Sequence, residues 1–260
     1  MYLGWQSLFR YLTSLFSDPR STLMFFLLAF PGRILAISAH EFAHAWVADK
    51  CGDHTARMMG RLTLNPMKHL DLVGTLMMLL LGFGWARPVP VNPRNYRNYR
   101  RDDLLVSIAG ITMNLILFAL SFLACAAIVF FAIRGAGAGS DQARDFVYYA
   151  ASFTYSDIAA ISGSRLLGYA YEMLTYFVLV NISLAVFNLL PVPPLDGYHV
   201  LNDLLLKRNL FASGQAARTA MGILFVLMFT GYLGTGLSYV INYVLSGAGW
   251  VAQALFAIFP

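Results

Sequence analysis

Charge is scarce in this chain. Asp, Glu, Lys and Arg together make up 12% of its 260 residues, against about 25% in an ordinary soluble domain. Set beside 58% hydrophobic residues, that shortage excludes a water-facing globular surface. The apolar residues run on without the polar face that a solvated helix requires, and mean hydropathy is +0.63. Cysteine is nearly absent. Cys51 and Cys125 stand far apart and outside any metal-ligand spacing, which excludes a disulfide framework and a thiolate zinc site. A small-residue cleavage site is also lacking near the start. Residues 1–20 carry Arg10 inside an apolar stretch and place Trp5, Phe9, Leu12 and Phe16 at helical spacing, so they read as an interfacial amphipathic segment rather than a removable signal. No internal repeat and no appended soluble domain is visible, and one membrane domain over 1–260 is expected.

The net charge of +5 could suggest a nucleic-acid partner, but the placement of the basic residues argues otherwise. Eight of the eighteen Lys and Arg residues lie between Arg57 and Arg101, beside apolar runs. That is the bias of a cytoplasmic loop, so no nucleic acid is expected.

The expected fold class is an all-α polytopic membrane protein with a three-helix core and flanking helices, about 4–6 spans in all. A first long helix is expected over 22–50, interrupted or kinked at Pro31. An inner loop over 52–101 follows. It encloses a run of 12 residues, Leu72 to Phe83, too short to cross comfortably and flanked by basic segments, hence re-entrant or surface-lying. The middle core helix is placed at 104–133, an outer loop at 134–171, and a third core helix within 172–201, broken by Pro191, Pro193 and Pro194. The C-terminal helices occupy 202–260. Inner loops then hold Lys50 to Arg101 and Lys207 to Arg218, so the active side faces the cytoplasm.

The chemistry concentrates in His40-Glu41-Phe42-Ala43-His44. Four residues advance a helix by about 6 Å and leave the two His side chains about 40° apart, so both imidazoles can reach one tetrahedral Zn²⁺. Glu41 need not be a ligand; it can take a proton from a water whose pKa zinc lowers toward about 7. A His-Glu-His cluster in hydrocarbon is costly, and a bound cation offsets that cost. Three protein ligands are usual at a catalytic zinc, and Asp196 is the best candidate for the third, because the prolines before it break the helix and let irregular backbone line a cavity. A polar helix cap is the plainer reading of Asp196. His54 and His69 read as solvated loop residues, His199 as ordinary packing, and Arg33 stays unplaced.

On these residues the chain resembles the site-2 protease family of intramembrane zinc metalloproteases. HEFAH matches the family's zinc-binding helix, and NLLPVPPLDG, from Asn188 to Gly197, matches its second motif. GRLTLNP from Gly60, GWARPVPVNP from Gly84 and AGITMN from Ala109 are similar to the compact bacterial branch without PDZ or CBS domains. Ile111 stands where the family commonly has Pro. The resemblance implies one Zn²⁺ held by His40, His44 and Asp196, Glu41 as general base, and supporting roles for Asn188 near the reaction centre and Asn114 on the middle helix. It also implies a transmembrane protein substrate and a bacterial inner membrane. A binding-only relative could lose Glu41 freely, yet Glu41 is present; a transporter often shows two related halves, and none is visible. Substrate identity and oligomeric state are not legible in the sequence.

Overall fold

The computed structural model describes residues 13, 17–81, 84–206 and 214–259. Residues 1–12 and 14–16 of the N-terminal segment, with Trp5, Phe9, Leu12 and Phe16, fall outside the described residues, as does Lys207. Within them the chain is helical, with no strand and a single antiparallel bridge between Leu70 and Ala86.

Helix α1, Pro19–Lys50, starts where Asp18 caps it by accepting from the Ser21 amide and where Pro19 presets the first turn. It runs through Pro31 as one element of 32 residues, about 48 Å at 1.5 Å per residue. A short turn of helix, α2 (Thr55–Met58), and then α3 (Leu72–Leu81) follow. At 10 residues α3 is about 15 Å long, half of a hydrocarbon core of about 30 Å. Helix α4, Tyr99–Gly135, begins five residues before the expected start, because Asn98 caps it and Asp102 reaches back to the Asn98 amide.

The stretch 134–171, expected as an outer loop, contains two short helices of its own. It holds α5 (Ser140–Val147) and α6 (Tyr155–Ser162), the latter opened by a Thr154–Asp157 capping box and closed by Gly163 at φ 69. Helix α7, Arg165–Asn188, begins earlier than composition suggested because Ser164 caps it. A Pro-rich turn leads into α8, Asp196–Leu201. Helices α9 (Gly214–Thr230) and α10 (Tyr232–Phe256) meet at Gly231 with a bend of 78°.

Helices α1, α4 and α7 pack on one another as a three-helix core. At one end Phe118, Phe122, Val129 and Phe130 of α4 interlock with Tyr171, Val178 and Ile182 of α7 and with Phe256 of α10. The Tyr171 hydroxyl donates to the Ala150 carbonyl at 2.5 Å, so burial of that ring leaves no polar atom stranded. Leu23, Leu27 and Leu35 of α1 and Leu120 and Phe131 of α4 point outward, as faces in contact with hydrocarbon require. Three described helices are long and apolar enough to span a bilayer, or up to four spans if the bent α9–α10 pair counts as one. Four spans would meet the lower edge of the expected number and three would fall one short. The protein is an all-α polytopic membrane protein.

Candidate metal centre

His40 and His44 lie on the last three turns of α1, and both are buried. Asp196 comes to them from the first turn of α8, just after the Pro-rich break. Gly197 explains how that turn fits: a Cβ there would stand 2.3 Å from the Leu189 carbonyl oxygen, so only glycine lets the chain fold back against the end of α7.

The three side chains converge through one atom each. His40 Nε2 and His44 Nε2 are 3.0 Å apart, and each is 3.3 Å from Asp196 Oδ2. Zinc bonded at about 2.0–2.1 Å in a tetrahedron separates its ligand atoms by about 3.3 Å, so this triangle has the size of one zinc face. The far sides of both rings are occupied: His40 Nδ1 meets Asn114 Oδ1 at 2.6 Å and His44 Nδ1 meets the Val106 carbonyl at 2.7 Å. Those oxygens only accept, so each Nδ1 carries the proton and each Nε2 presents a lone pair to the cluster. These residues could therefore hold a metal ion.

Asn114 has no freedom to flip. Its amide NH₂ donates to Asn181 Oδ1 at 2.9 Å, and the Asn181 NH₂ in turn donates to the Phe177 carbonyl at 2.8 Å. Donation runs from the His40 ring of α1 through Asn114 on α4 to Asn181 on α7, and its direction is set by a backbone oxygen that cannot reverse. Asn188 does not join it; its amide donates one turn back, to the Leu184 carbonyl.

Gly110 supplies the space. A Cβ built there would lie 2.4 Å from His44 Nε2 and 2.7 Å from His40 Nε2, so the absence of a side chain at this position on α4 leaves the room in front of both lone pairs. Glu41, between the two histidines, has Oε2 engaged by the Val89 amide at 2.7 Å.

Sequence reasoning did not single out Gly110, Asn181 or the Val89 amide. Asn181 had a signal, being a polar residue on an apolar span two turns before Asn188. Gly110 had a weaker one, sitting four residues before Asn114 on the same helix face. The Val89 amide had none.

Other polar residues differ from expectation. His69 is wholly buried, not solvated: its Nε2 bonds the Thr63 carbonyl and its own carbonyl accepts from the Arg87 amide, which folds the loop over it. His54 is half exposed but bonded to Asp49. Arg33 is buried with its guanidinium over the Phe25 ring at 5.3 Å. His199 is more than packing, since its Nδ1 lies 3.0 Å from Asp103 Oδ2 and so joins α8 to the start of α4.

That junction is expected to respond to pH. The Asp103 carboxylate raises the His199 imidazole above its ordinary value, against the effect of burial. Burial and a hydrogen bond with Asp103 push Asp203 up to about 6. Both groups are raised, so both stabilise the protonated form and lose that contribution as pH rises: Asp203 between its ordinary 3.8 and about 6, His199 from its ordinary 6.5 upward. Amide exchange at His199–Leu201 is expected to speed up between pH 5 and 8 beyond the intrinsic chemical rate. His199→Gln should lack the part of that excess above pH 6.5; an unchanged profile in the variant would refute the assignment.

The sequence model of peptidase family M50 matches residues 26–229, a span that contains every residue of the cluster. The chain is 37% identical over 87% of its length, and 90% of the relative's, to "Putative zinc metalloprotease YwhC" of Bacillus subtilis. It is 28% identical over 82% of its length, and 70% of the relative's, to "Putative zinc metalloprotease Rip2" of Mycolicibacterium smegmatis. No solved structure matches the chain. The matched family and the apolar helices together make the chain a member of peptidase family M50, the site-2 proteases: a membrane-embedded zinc metallopeptidase.

Proposed function

We propose that the protein hydrolyses peptide bonds in or beside transmembrane helices of other membrane proteins, in a bacterial inner membrane, with its active site toward the cytoplasm. One zinc per chain is held by His40, His44 and Asp196, and Glu41 is the general base. The observation that carries this reading is the triangle of two Nε2 atoms and one Oδ2 at 3.0, 3.3 and 3.3 Å, with Glu41 on the same helix. The cytoplasmic orientation rests on the basic residues between Arg57 and Arg101, which follow the end of α1 nearest the site.

Zinc held by His40, His44 and Asp196 would supply Lewis acidity, polarising the scissile carbonyl and acidifying the attacking water. Glu41 would take the proton from the attacking water as the water oxygen bonds to the carbonyl carbon. The same carboxyl then delivers the proton to the leaving nitrogen as the C–N bond breaks. Asn114 and the Val106 carbonyl keep both imidazoles in the tautomer that leaves Nε2 free, and Asn181 keeps Asn114 from turning. A substrate helix has to unwind near the site, because an intact helix holds its carbonyls in internal hydrogen bonds.

Metal analysis of purified wild type and Asp196→Ala tests the ligand set. Wild type is expected to hold about one zinc per chain, and the variant, reduced to two histidines, less than about one tenth of that after dialysis, with cleavage of a model transmembrane substrate lost in parallel. Full zinc content in Asp196→Ala would remove Asp196 from the site.

A further inference from the structure

The Arg87–Asn92 segment reads Arg-Pro-Val-Pro-Val-Asn. Proline has no amide hydrogen, so between Arg87 and Val91 the backbone offers one donor, the Val89 N–H. That donor is spent on Glu41 Oε2 at 2.7 Å. The peptide group it belongs to is held from the other side as well. Arg61, buried despite its charge, donates through Nη2 to the Arg87 carbonyl at 2.8 Å and to the Pro88 carbonyl at 3.3 Å. The Pro88 carbonyl and the Val89 amide are two ends of one planar peptide unit. A guanidinium on its oxygen fixes the plane and polarises the N–H that faces Glu41.

The rest of the segment is pinned around this point. The Arg87 amide donates to the His69 carbonyl, and Ala86 bridges Leu70. At the far end the Asn92 amide donates to Asp53, a fully buried carboxylate at the turn after α1. Val89 itself packs on Ala45 of α1 and Ala56 of α2. Gly60, at φ 64, makes the turn that brings Arg61 back under the segment. Everything that anchors the strap leads to the one peptide bonded to Glu41.

We propose that Arg61 and the Val89 amide are positioning groups for Glu41: the strap holds one carboxylate oxygen so that the other, Oε1, meets the proton in a fixed geometry. This gives the GRLTLNP motif a role in the reaction, and it rests on Glu41 being the general base. A Glu side chain without such a tether spreads over several rotamers, and misplacement by about 1 Å is enough to cost about 10²-fold in rate.

The test uses the full-length protein in detergent, with zinc content, kcat and KM on a transmembrane substrate, and amide exchange of Val89 read by NMR on valine-labelled protein. Val89→Pro deletes the donor in a segment that is already Pro-Val-Pro; Val89→Ala keeps it and trims only packing. Expected for Val89→Pro are zinc at the wild-type level, KM within about twofold, and kcat per bound zinc down about tenfold or more. Val89→Ala should stay within about threefold of wild type. Arg61→Gln should lower kcat in the same way, and Arg61→Lys, which still donates to a carbonyl, should recover part of it. Val89 amide exchange should quicken about tenfold in Glu41→Ala and in Arg61→Gln.

Three kinetic results would overturn the proposal: wild-type kcat in Val89→Pro, an equal loss in Val89→Ala, or a change in KM alone. Slow Val89 exchange in Glu41→Ala would do the same. A wild-type protein that holds no zinc or cuts nothing would instead sink the reading of the site itself, so the two failures are distinguishable.

Discussion

Glu41→Gln is expected to retain its full zinc content and to lose about 10²–10⁴-fold in turnover, the range that a positioned general base contributes. The substitution is close to isosteric. Glutamine keeps an oxygen for the Val89 amide, so the strap can stay in place, and neither His40 nor His44 depends on the carboxylate for its hydrogen bonds. What glutamine cannot do is take a proton from water and hand it on. The signature is therefore a split between metal analysis and cleavage: one unchanged, the other collapsed. Cleavage near the wild-type rate would show that another group serves as base, and loss of zinc would show that Glu41 belongs to the ligand set.

Gly110→Ala is expected to empty the metal site, because the added methyl carbon falls 2.4 Å from His44 Nε2 and 2.5 Å from His40 Cε1. No flexible group is there to give way. Both rings are tied at Nδ1, one to Asn114 and one to backbone, and α4 is packed against α1 and α7. The usual effect of this exchange has the opposite sign: alanine in place of glycine inside a helix gains about 0.5–1 kcal/mol. Overpacking of about 1–3 kcal/mol outweighs it here. The expected result is zinc content down about tenfold or more together with a lower melting temperature. Gly135→Ala, at the end of the same helix with nothing within 4 Å, serves as the control and should change neither. Normal zinc loading in Gly110→Ala would mean that α4 stands farther from the histidines than described.

The sequence carried the helical class and the two histidines with little ambiguity, for physical reasons. Long apolar runs leave few alternatives, and His40 and His44 share a face by spacing alone. Asp196 needed more: its nomination came from a break in an apolar run, and its arrival beside the histidines depends on a turn that only Gly197 permits. The capping residues Asn98, Ser164 and Thr154 are written in the chain, yet apolar runs outweigh them as a signal for helix starts, so α4 and α7 begin earlier than expected and α5 and α6 lie in a stretch whose composition suggests a loop. His69 misled for a related reason, since a polar stretch suggests solvent whereas the ring sits beneath a folded loop. The bonds from Asn114 to Asn181 and from Val89 to Glu41 join residues 67 and 48 positions apart. No local pattern encodes such pairs; they follow from how the three core helices and the strap meet.

The partners of the two imidazoles have a further consequence. An amide and a peptide carbonyl, rather than carboxylates, hold the outer nitrogens of His40 and His44. Neither adds an ion to the membrane interior. On the proposed ligand set a divalent cation would meet two carboxylates, that of Asp196 as ligand and that of Glu41 beside it. Cation and carboxylates would then offset one another, which lowers the cost of holding ions in a medium of low dielectric constant.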